Sequence, residues 1–406
     1  MLALAAIITQ KIHVLFHYFI YHFDRPIMNS LQLPLLPGIR SRFVDNTNGL
    51  NMHILEAGFT EANDRPCILL LHGFPELAYS WRKVMLPLAL AGFHVIAPDQ
   101  RGYGQTTGWS SDYNGNLQPF RFTNLVTDVL GLLGVLGIRT VHSVIGHDFG
   151  SPVASYCSLI RPDVFKSVAL MSAPFAGSAS VLFGSNGSQA TGPDIHEQLA
   201  ALPRPRKHYQ WYYSSSEAND NMKNCPQGIH DFMRAYYHHK SADWAGNTPA
   251  PLLGWTAEAV AEMPTYYIMD SDQGMAETVA QEMPSSEEIA LCEWLTEEEL
   301  HVYGNTYAHT GFQGGFQWYR CVTSGLNTQD LKLFLGLTIN QPSLFIAGNK
   351  DWGVYQKPGD LEQMQNHACT NMRGCHLVEG AGHWVQQEQP NAVLKHLLPF
   401  LTDSQF

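Results

Sequence analysis

The chain has 406 residues, of which 45% are apolar, enough to build a large core without disulfide or metal staples. Its formal net charge of −12 and the lack of a dense Lys/Arg stripe argue against a nucleic-acid partner, which would need a basic face. The seven cysteines (Cys67, Cys157, Cys225, Cys292, Cys321, Cys369 and Cys375) are odd in number, scattered and without a C-x-x-C pair. They read as small buried hydrophobes in a reducing compartment, not as zinc ligands or a redox pair, and the expected location is the cytoplasm.

Residues 1–27, "MLALAAIITQKIHVLFHYFIYHFDRPI", are strongly apolar and nearly long enough to span a bilayer. They lack the basic start and small-residue cleavage site of a signal peptide. Membrane attachment, an interfacial or packed helix, and a gene-model extension upstream of Met28 all remain open. "RFVDNTNGLNMHILEAG" then reads as two strands around an Asn/Gly turn. "PCILLLHG" (66–73) and "FHVIAPDQRGYG" (93–104) are apolar runs ending in glycine-containing loops, as expected of strands buried on both faces. "AYSWRKVMLPLALAG" between them has helical spacing. "TNLVTDVLGLLGVLG" (123–137) is a helix, "VHSVIGHD" (141–148) a strand, "SPVASYCSLIRP" (151–162) a helix and "KSVALMSAP" (166–174) a strand.

This alternation implies a doubly wound, mostly parallel α/β sheet. It stops near residue 175 and resumes with "PSLFIAG" (342–348), "CHLVEG" (375–380) and "NAVLKHLLPFL" (391–401). Residues 40–174 and 336–402 are therefore expected to form one core. Residues 175–335, rich in Trp, Tyr and Met, are expected to form a helical lid inserted after the sixth strand.

"VIGHDFGSP" (144–152) places Asp148 where a buried strand ends and a helix begins, with Gly146 and Gly150 permitting a tight turn. A helix cap is the plain explanation of an aspartate there. Strand–nucleophile–helix turns of this frame carry serine in hydrolases, and the order nucleophile, acid, histidine follows along the chain. Asp351 in "NKDWG" and His383 in "AGHW" each follow an expected strand, in that order. "HGFPE" (72–76) follows the first buried strand, so the backbone N–H groups of Phe74 and Phe149 are candidates for an oxyanion hole.

A carboxylate is a poor nucleophile for an ester but a sensible one for a saturated carbon bearing a leaving group. The product is an ester on Asp148, whose carbonyl water then attacks with His383 as base and Asp351 orienting it. The targets narrow to epoxides and alkyl halides. An epoxide oxygen leaves as an alkoxide and needs a proton donor such as tyrosine, whereas a halide needs only weak N–H donors.

The set "HGFPE", "DQRGYG", "GHDFG", "NKDWG" and "GAGHW" resembles the epoxide hydrolase family of the α/β-hydrolase fold, over about residues 40 to 402. The resemblance implies ring-opening tyrosines in the lid. "GFQGGFQWYR" (311–320) is similar to a family segment that maps the first to Tyr319. "HYQWYY" (208–213) is similar to one that maps the second to Tyr209, with Tyr212 and Tyr213 as neighbouring alternatives. It also implies a small lipophilic epoxide and water as substrates, with no cofactor. A dehalogenase using the same aspartate and a silent ligand-binding relative are the alternatives. Phe149, where such dehalogenases carry Arg or Trp, weakens the first, and an intact set of three site residues weakens the second.

Trp352 and Trp384 flank the acid and the base, and either line the substrate pocket or pack the loops. His238 and His239 lack metal-ligand spacing and read as lid structure, so no metal is expected. "RPRKH" (204–208) reads as a solvated or lid segment, and Asn186 begins a lone N-glycosylation sequon. "DQRGYG" lacks both a P-loop lysine and dinucleotide spacing. No oligomeric state follows from the sequence.

Overall fold

Five short runs are buried at every position: β3 (Cys67–Leu71), β4 (His94–Pro98), β5 (Ser143–His147), β6 (Val168–Met171) and β9 (Ser343–Gly348). Strands without a polar face must be covered on both sides, as in a parallel sheet flanked by helices. The computed structural model describes residues 33–178 and 194–403, and there these runs form the centre of an eight-stranded sheet. Its order is β1-β2-β4-β3-β5-β6-β9-β10, with β1 (Ile39–Thr47) and β2 (Leu50–Ala57) at one edge and β10 (Met372–Val378) at the other. Pairings from β4 to β10 are parallel; β1 and β2 run antiparallel, joined through the expected turn at Asn48 and Gly49.

Alternate residues of each strand feed opposite layers. Ile68, Val95, Ile145, Ala169 and Ile346 pack with α1 (Arg82–Leu90). Leu69, Ile96, Val144, Leu170 and Phe345 pack with α2 (Phe122–Val135) and α3 (Gly150–Ile160).

Between β6 and β9 the chain leaves the sheet. It forms α4 (Tyr209–Tyr213), α5 (Gly228–Lys240), α6 (Glu297–Thr310), α7 (Gln313–Thr323) and several shorter helices. The local signals are strong in α6. Thr296 and Glu299 close a capping box, three glutamates fill the first turn, and Gly311 at φ 65° ends the helix. The segment is not purely helical as the sequence suggests. β7 (Arg206–His208) pairs antiparallel with β8 (Ile268–Asp270). "RPRKH" supplies one strand of this ribbon: Arg204 pairs with Asp270 at 2.6 Å, while buried Arg206 donates to the Ile268 carbonyl.

This segment is tied to the loops beyond β3 and β4. Tyr237 Oη donates to the Pro75 carbonyl and Tyr307 Oη to the Glu76 carbonyl, both at 3.2 Å. Ser80 Oγ meets Tyr303 Oη at 2.8 Å, Arg82 Nε meets Glu299 at 2.8 Å, and Trp318 Nε1 donates to the Arg101 carbonyl at 2.9 Å. α8 (Pro390–Thr402) closes the chain against the α1 side of the sheet. Among the described residues, no helix is long and apolar enough to cross a membrane. Residues 1–27, with their three readings, and Asn186 lie outside the described residues.

Candidate active site

Asp148 is the hinge of a tight turn. β5 ends at His147, Asp148 takes φ 50°, and α3 begins at Gly150. The left-handed region costs a non-glycine residue of order 1–2 kcal/mol, so the surroundings must impose it. They do so by close backbone approach. A Cβ on Gly146 would sit 2.1 Å from the Gly150 carbonyl oxygen, and one on Gly150 would sit 2.2 Å from that of Leu71. The side chain caps nothing: the N-cap of α3 is Phe149, with no side-chain cap bond. That removes the helix-cap explanation of Asp148.

The carboxylate is instead held from two sides. Oδ1 accepts the Phe74 backbone N–H at 2.8 Å, and Oδ2 lies 3.2 Å from His383 Nε2. His383 follows β10, and its Nδ1 lies 3.0 Å from Asp351 Oδ1. Asp351 follows β9 and accepts the Gly353 N–H at 2.7 Å, which fixes its rotamer. Asp351 and His383 are almost wholly buried. Three side chains far apart in sequence thus meet at the carboxyl ends of the strands.

Burial pushes both carboxyl groups up, but His383 first, then Lys240 at Asp148 and the Ser172 and Gly353 hydrogen bonds at Asp351, offset it, and both lie below the usual carboxylate range. Burial and the Lys240 ammonium depress His383. The facing charges of Asp351 and Asp148 outweigh them and raise it to about 9. At neutral pH the centre is an imidazolium between two carboxylates.

A cavity of about 270 Å³ opens over Asp148. Phe122, Phe149, Tyr156 and Phe175 supply apolar wall, while Tyr209 and Tyr319 come from the segment between β6 and β9. The Tyr209 and Tyr319 rings are 5.9 Å apart, and Phe149 stands edge-on to Tyr319 at 4.9 Å. Tyr319 Oη makes no hydrogen bond among the described residues. Tyr209 Oη contacts Gln356 Oε1 at 3.3 Å and accepts from Gln210 Nε2 at 3.1 Å. Burial, and then the Asp148 charge, pushes both phenols well above their ordinary range, so they stay protonated donors. Tyr212 and Tyr213 point elsewhere, to Asn221 and to Tyr236, and neither lines the cavity.

Residues 66–390 match the family described as the alpha/beta hydrolase fold. Epoxide hydrolase A of Mycobacterium tuberculosis is 32% identical, over 89% of this chain and 97% of that one. Epoxide hydrolase 3 of Siraitia grosvenorii is 30% identical, over 88% and 96%. Among solved structures, an epoxide hydrolase from an endophytic Streptomyces superposes with TM-score 0.70 at 28% identity, covering 90% of this chain and 96% of that one. Potato epoxide hydrolase I gives 0.67 at 29%, covering 89% and 99%. The chain belongs to the epoxide hydrolase family of the α/β-hydrolase fold.

In this member of the epoxide hydrolase family, Trp352 and Trp384 take the packing alternative. Neither Trp384 nor Trp352 lines the cavity. The Trp384 indole is fully buried against Tyr237, ring centroids 4.4 Å apart, and donates to the Tyr237 carbonyl at 2.8 Å. Trp352 is buried in the same core cluster, while its neighbours Gly353 and Val354 face the cavity. Both tryptophans pack the loops that carry Asp351 and His383. Of the two backbone donors expected for an oxyanion hole, Phe74 N–H contacts the Asp148 carboxylate; Phe149 contributes its ring to the cavity wall.

Other residues of the epoxide hydrolase site escaped the sequence analysis. Glu76, the last residue of "HGFPE", is fully buried and accepts from Gly73 N–H at 3.0 Å and Gln386 Nε2 at 2.8 Å. It also meets His147 Nδ1 at 2.5 Å, and His147 Nε2 reaches the His383 carbonyl at 2.7 Å. One carboxylate thereby ties together the Phe74 loop, the end of β5 and the His383 loop. A charged residue closing a glycine-proline motif was the available signal. A second is Lys240, whose carbonyl accepts the His383 N–H at 2.9 Å. Among the described residues, one group with metal-ligand spacing, His230, Glu297 and His301, spans α5 and α6 without lining the cavity.

Proposed function

We propose that this enzyme hydrolyses a lipophilic epoxide to a vicinal diol through a covalent ester on Asp148. The observation that carries the reading is the division of labour on one carboxylate: Oδ1 rests on the Phe74 N–H while Oδ2 is the oxygen nearer His383. Oδ2 attacks a ring carbon, and the C–O bond of the ring breaks. Tyr319 or Tyr209 gives the departing oxygen its proton. Oδ1 becomes the ester carbonyl, already seated at one oxyanion donor, with the Phe149 N–H as the second. His383, oriented by Asp351, takes a proton from water, which attacks the ester carbon. Collapse of the tetrahedral species returns the Asp148 carboxylate and releases the second hydroxyl, with the proton returned by His383. In this reading residues 175–335 are the lid, residues 40–174 and 336–402 the core, and Lys357 and Asp360 stand at the polar side of the cavity. The seven unpaired cysteines support a reducing compartment, the cytoplasm.

A halide-releasing reaction fits less well. It needs indole or similar N–H donors in the cavity, and Trp352 and Trp384 are absent from its walls. The test is turnover of a panel of aryl and alkyl epoxides beside matched alkyl bromides, scoring diol and bromide. Diol formation without bromide release is expected. Bromide release that is indifferent to Tyr319→Phe would overturn the reading.

A further inference from the structure

Lys240 is the last residue of α5 and is only 3% exposed. Its Nζ sits in a box of four rings, 4.9 Å from the centroid of Tyr267, 5.5 Å from those of Tyr266 and Trp384, and 5.6 Å from that of Tyr236. It has no hydrogen-bond acceptor and no ion-pair partner among the described residues. The box is rigidly tied to the His383 loop. The Lys240 carbonyl holds the His383 N–H, and Glu388 accepts from Ala242 N–H at 2.8 Å and from Gly382 and Trp384 N–H, both at 2.9 Å. A Cβ on Gly382 would come within 2.4 Å of the Ser241 carbonyl carbon, so the two segments are in backbone contact. A buried ammonium without a hydrogen-bond acceptor is costly, and here the four ring faces and the carboxylates of Asp148, Asp351 and Glu76 offset that cost.

Burial pulls the Lys240 ammonium below its ordinary range, and the charges of Asp148, Asp351 and Glu76 oppose that shift; His239 precedes it. The groups that face His383 are Asp148, Asp351 and Lys240, with the His147 ring 5.1 Å away and Trp384 at 4.6 Å. In the resting enzyme two carboxylates hold a proton on His383. That proton is an obstacle, because the second half-reaction needs a neutral imidazole.

We propose that the Lys240 ammonium is the group that releases His383 to act as a base once Asp148 has been esterified. Esterification neutralises Asp148. His383 then faces one carboxylate, Asp351, and one ammonium, Lys240, whose effects oppose each other, so burial decides in favour of the neutral ring. The released proton replaces the one that the tyrosine gave to the epoxide oxygen, so atoms and charge balance across the alkylation step. Lys240 is in this sense a positioning residue that works through His383. It makes no contact with the reacting atoms.

The inference rests on the ester mechanism above, and the experiment separates the two. Styrene oxide is mixed with wild type, Lys240→Met and Lys240→Arg from pH 5 to 9. Rapid quench with intact-protein mass spectrometry follows the adduct on Asp148. In wild type the hydrolysis step is expected to keep its full rate down to a pH below the ordinary histidine value of about 6.5. In Lys240→Met that limb moves up by about one pH unit or more. Adduct then accumulates at neutral pH and clears as the pH rises, while the alkylation rate changes less. Lys240→Arg retains the wild-type limb. An unmoved limb in Lys240→Met, with both half-reactions slowed alike, overturns the proposal and leaves Lys240 a packing role. If Lys240→Met does not fold, the wild-type limb alone decides: a value at or above about 6.5 overturns the proposal. A wild type that turns over without any adduct overturns the ester mechanism itself, and the Lys240 role with it.

Discussion

Tyr319 and Tyr209 face the same carboxylate but are not equivalent. The Tyr319 hydroxyl is uncommitted, whereas Tyr209 already shares its hydroxyl with Gln356 and Gln210. An uncommitted donor loses nothing when it turns to a substrate oxygen. Tyr319→Phe, which keeps the ring on Phe149, is expected to slow alkylation by about 100-fold or more with little change in KM, as suits loss of a general acid. Tyr209→Phe is expected to cost less, and the double variant to abolish adduct formation; single-turnover alkylation rates decide. His383→Gln should do the reverse, leaving alkylation in place and the adduct stalled, and intact mass then shows enzyme plus one substrate. The charge state of His383 also enters stability. Its pKa rises from 6.5 to about 9 on folding, so its contribution is complete below 6.5 and is lost as pH rises through about 9. The melting temperature of wild type relative to His383→Gln is therefore expected to narrow between these two values. A gap that widens with pH would contradict the imidazolium between Asp148 and Asp351.

At the level of elements, the turn between β5 and α3 is fixed by atoms that are absent. Gly146→Ala places a Cβ against the Gly150 backbone, which has no flexible end to move aside. A loss of about 1–3 kcal/mol in urea unfolding is expected, with activity falling further because Asp148 shifts with the turn. This part of the molecule was legible in the sequence. "CILLL", "HVIAP" and "SVIGH" are too short and too uniformly apolar for anything but strands covered on both faces, and the residues just past β5, β9 and β10 follow from them. The lid segment was much less so. Its residues choose partners across more than a hundred positions, as Tyr307 does with the Glu76 carbonyl, and local periodicity carries no trace of that choice. The ribbon of β7 and β8 is three residues a side, below what pattern can resolve. Trp352 and Trp384 were ambiguous for a related reason. An indole on such a loop can face a pocket or a core, and only its long-range neighbours, Tyr237 for Trp384, settle which.

At the scale of the whole molecule, the described residues fall within one compact unit, Leu33–Phe406, although the sheet and the lid segment could each have been a body of their own. One of the ties is Arg82. It is buried at the start of α1, donates to Glu299 of α6 at 2.8 Å and to Gln387 beside the His383 loop at 2.8 Å, and stacks on Tyr79. Arg82 therefore bonds across three parts of the chain far apart in sequence, and the Tyr237 and Tyr307 hydroxyls bond to the same β3 loop. A lid held this way cannot melt without exposing the Phe74 loop, so the expected thermal unfolding is one calorimetric transition. Arg82→Met removes the guanidinium and leaves Glu299 with the Thr296 N–H and Gln387 with the Tyr303 hydroxyl, each partly desolvated and short of its charged partner. A loss of about 3 kcal/mol is expected, because breaking one side of a buried pair costs more than never having built it. The transition should move down in temperature as a single peak. A split into two peaks, with the activity lost in the first, would mean that the lid segment unfolds on its own and that Arg82 is what normally prevents it.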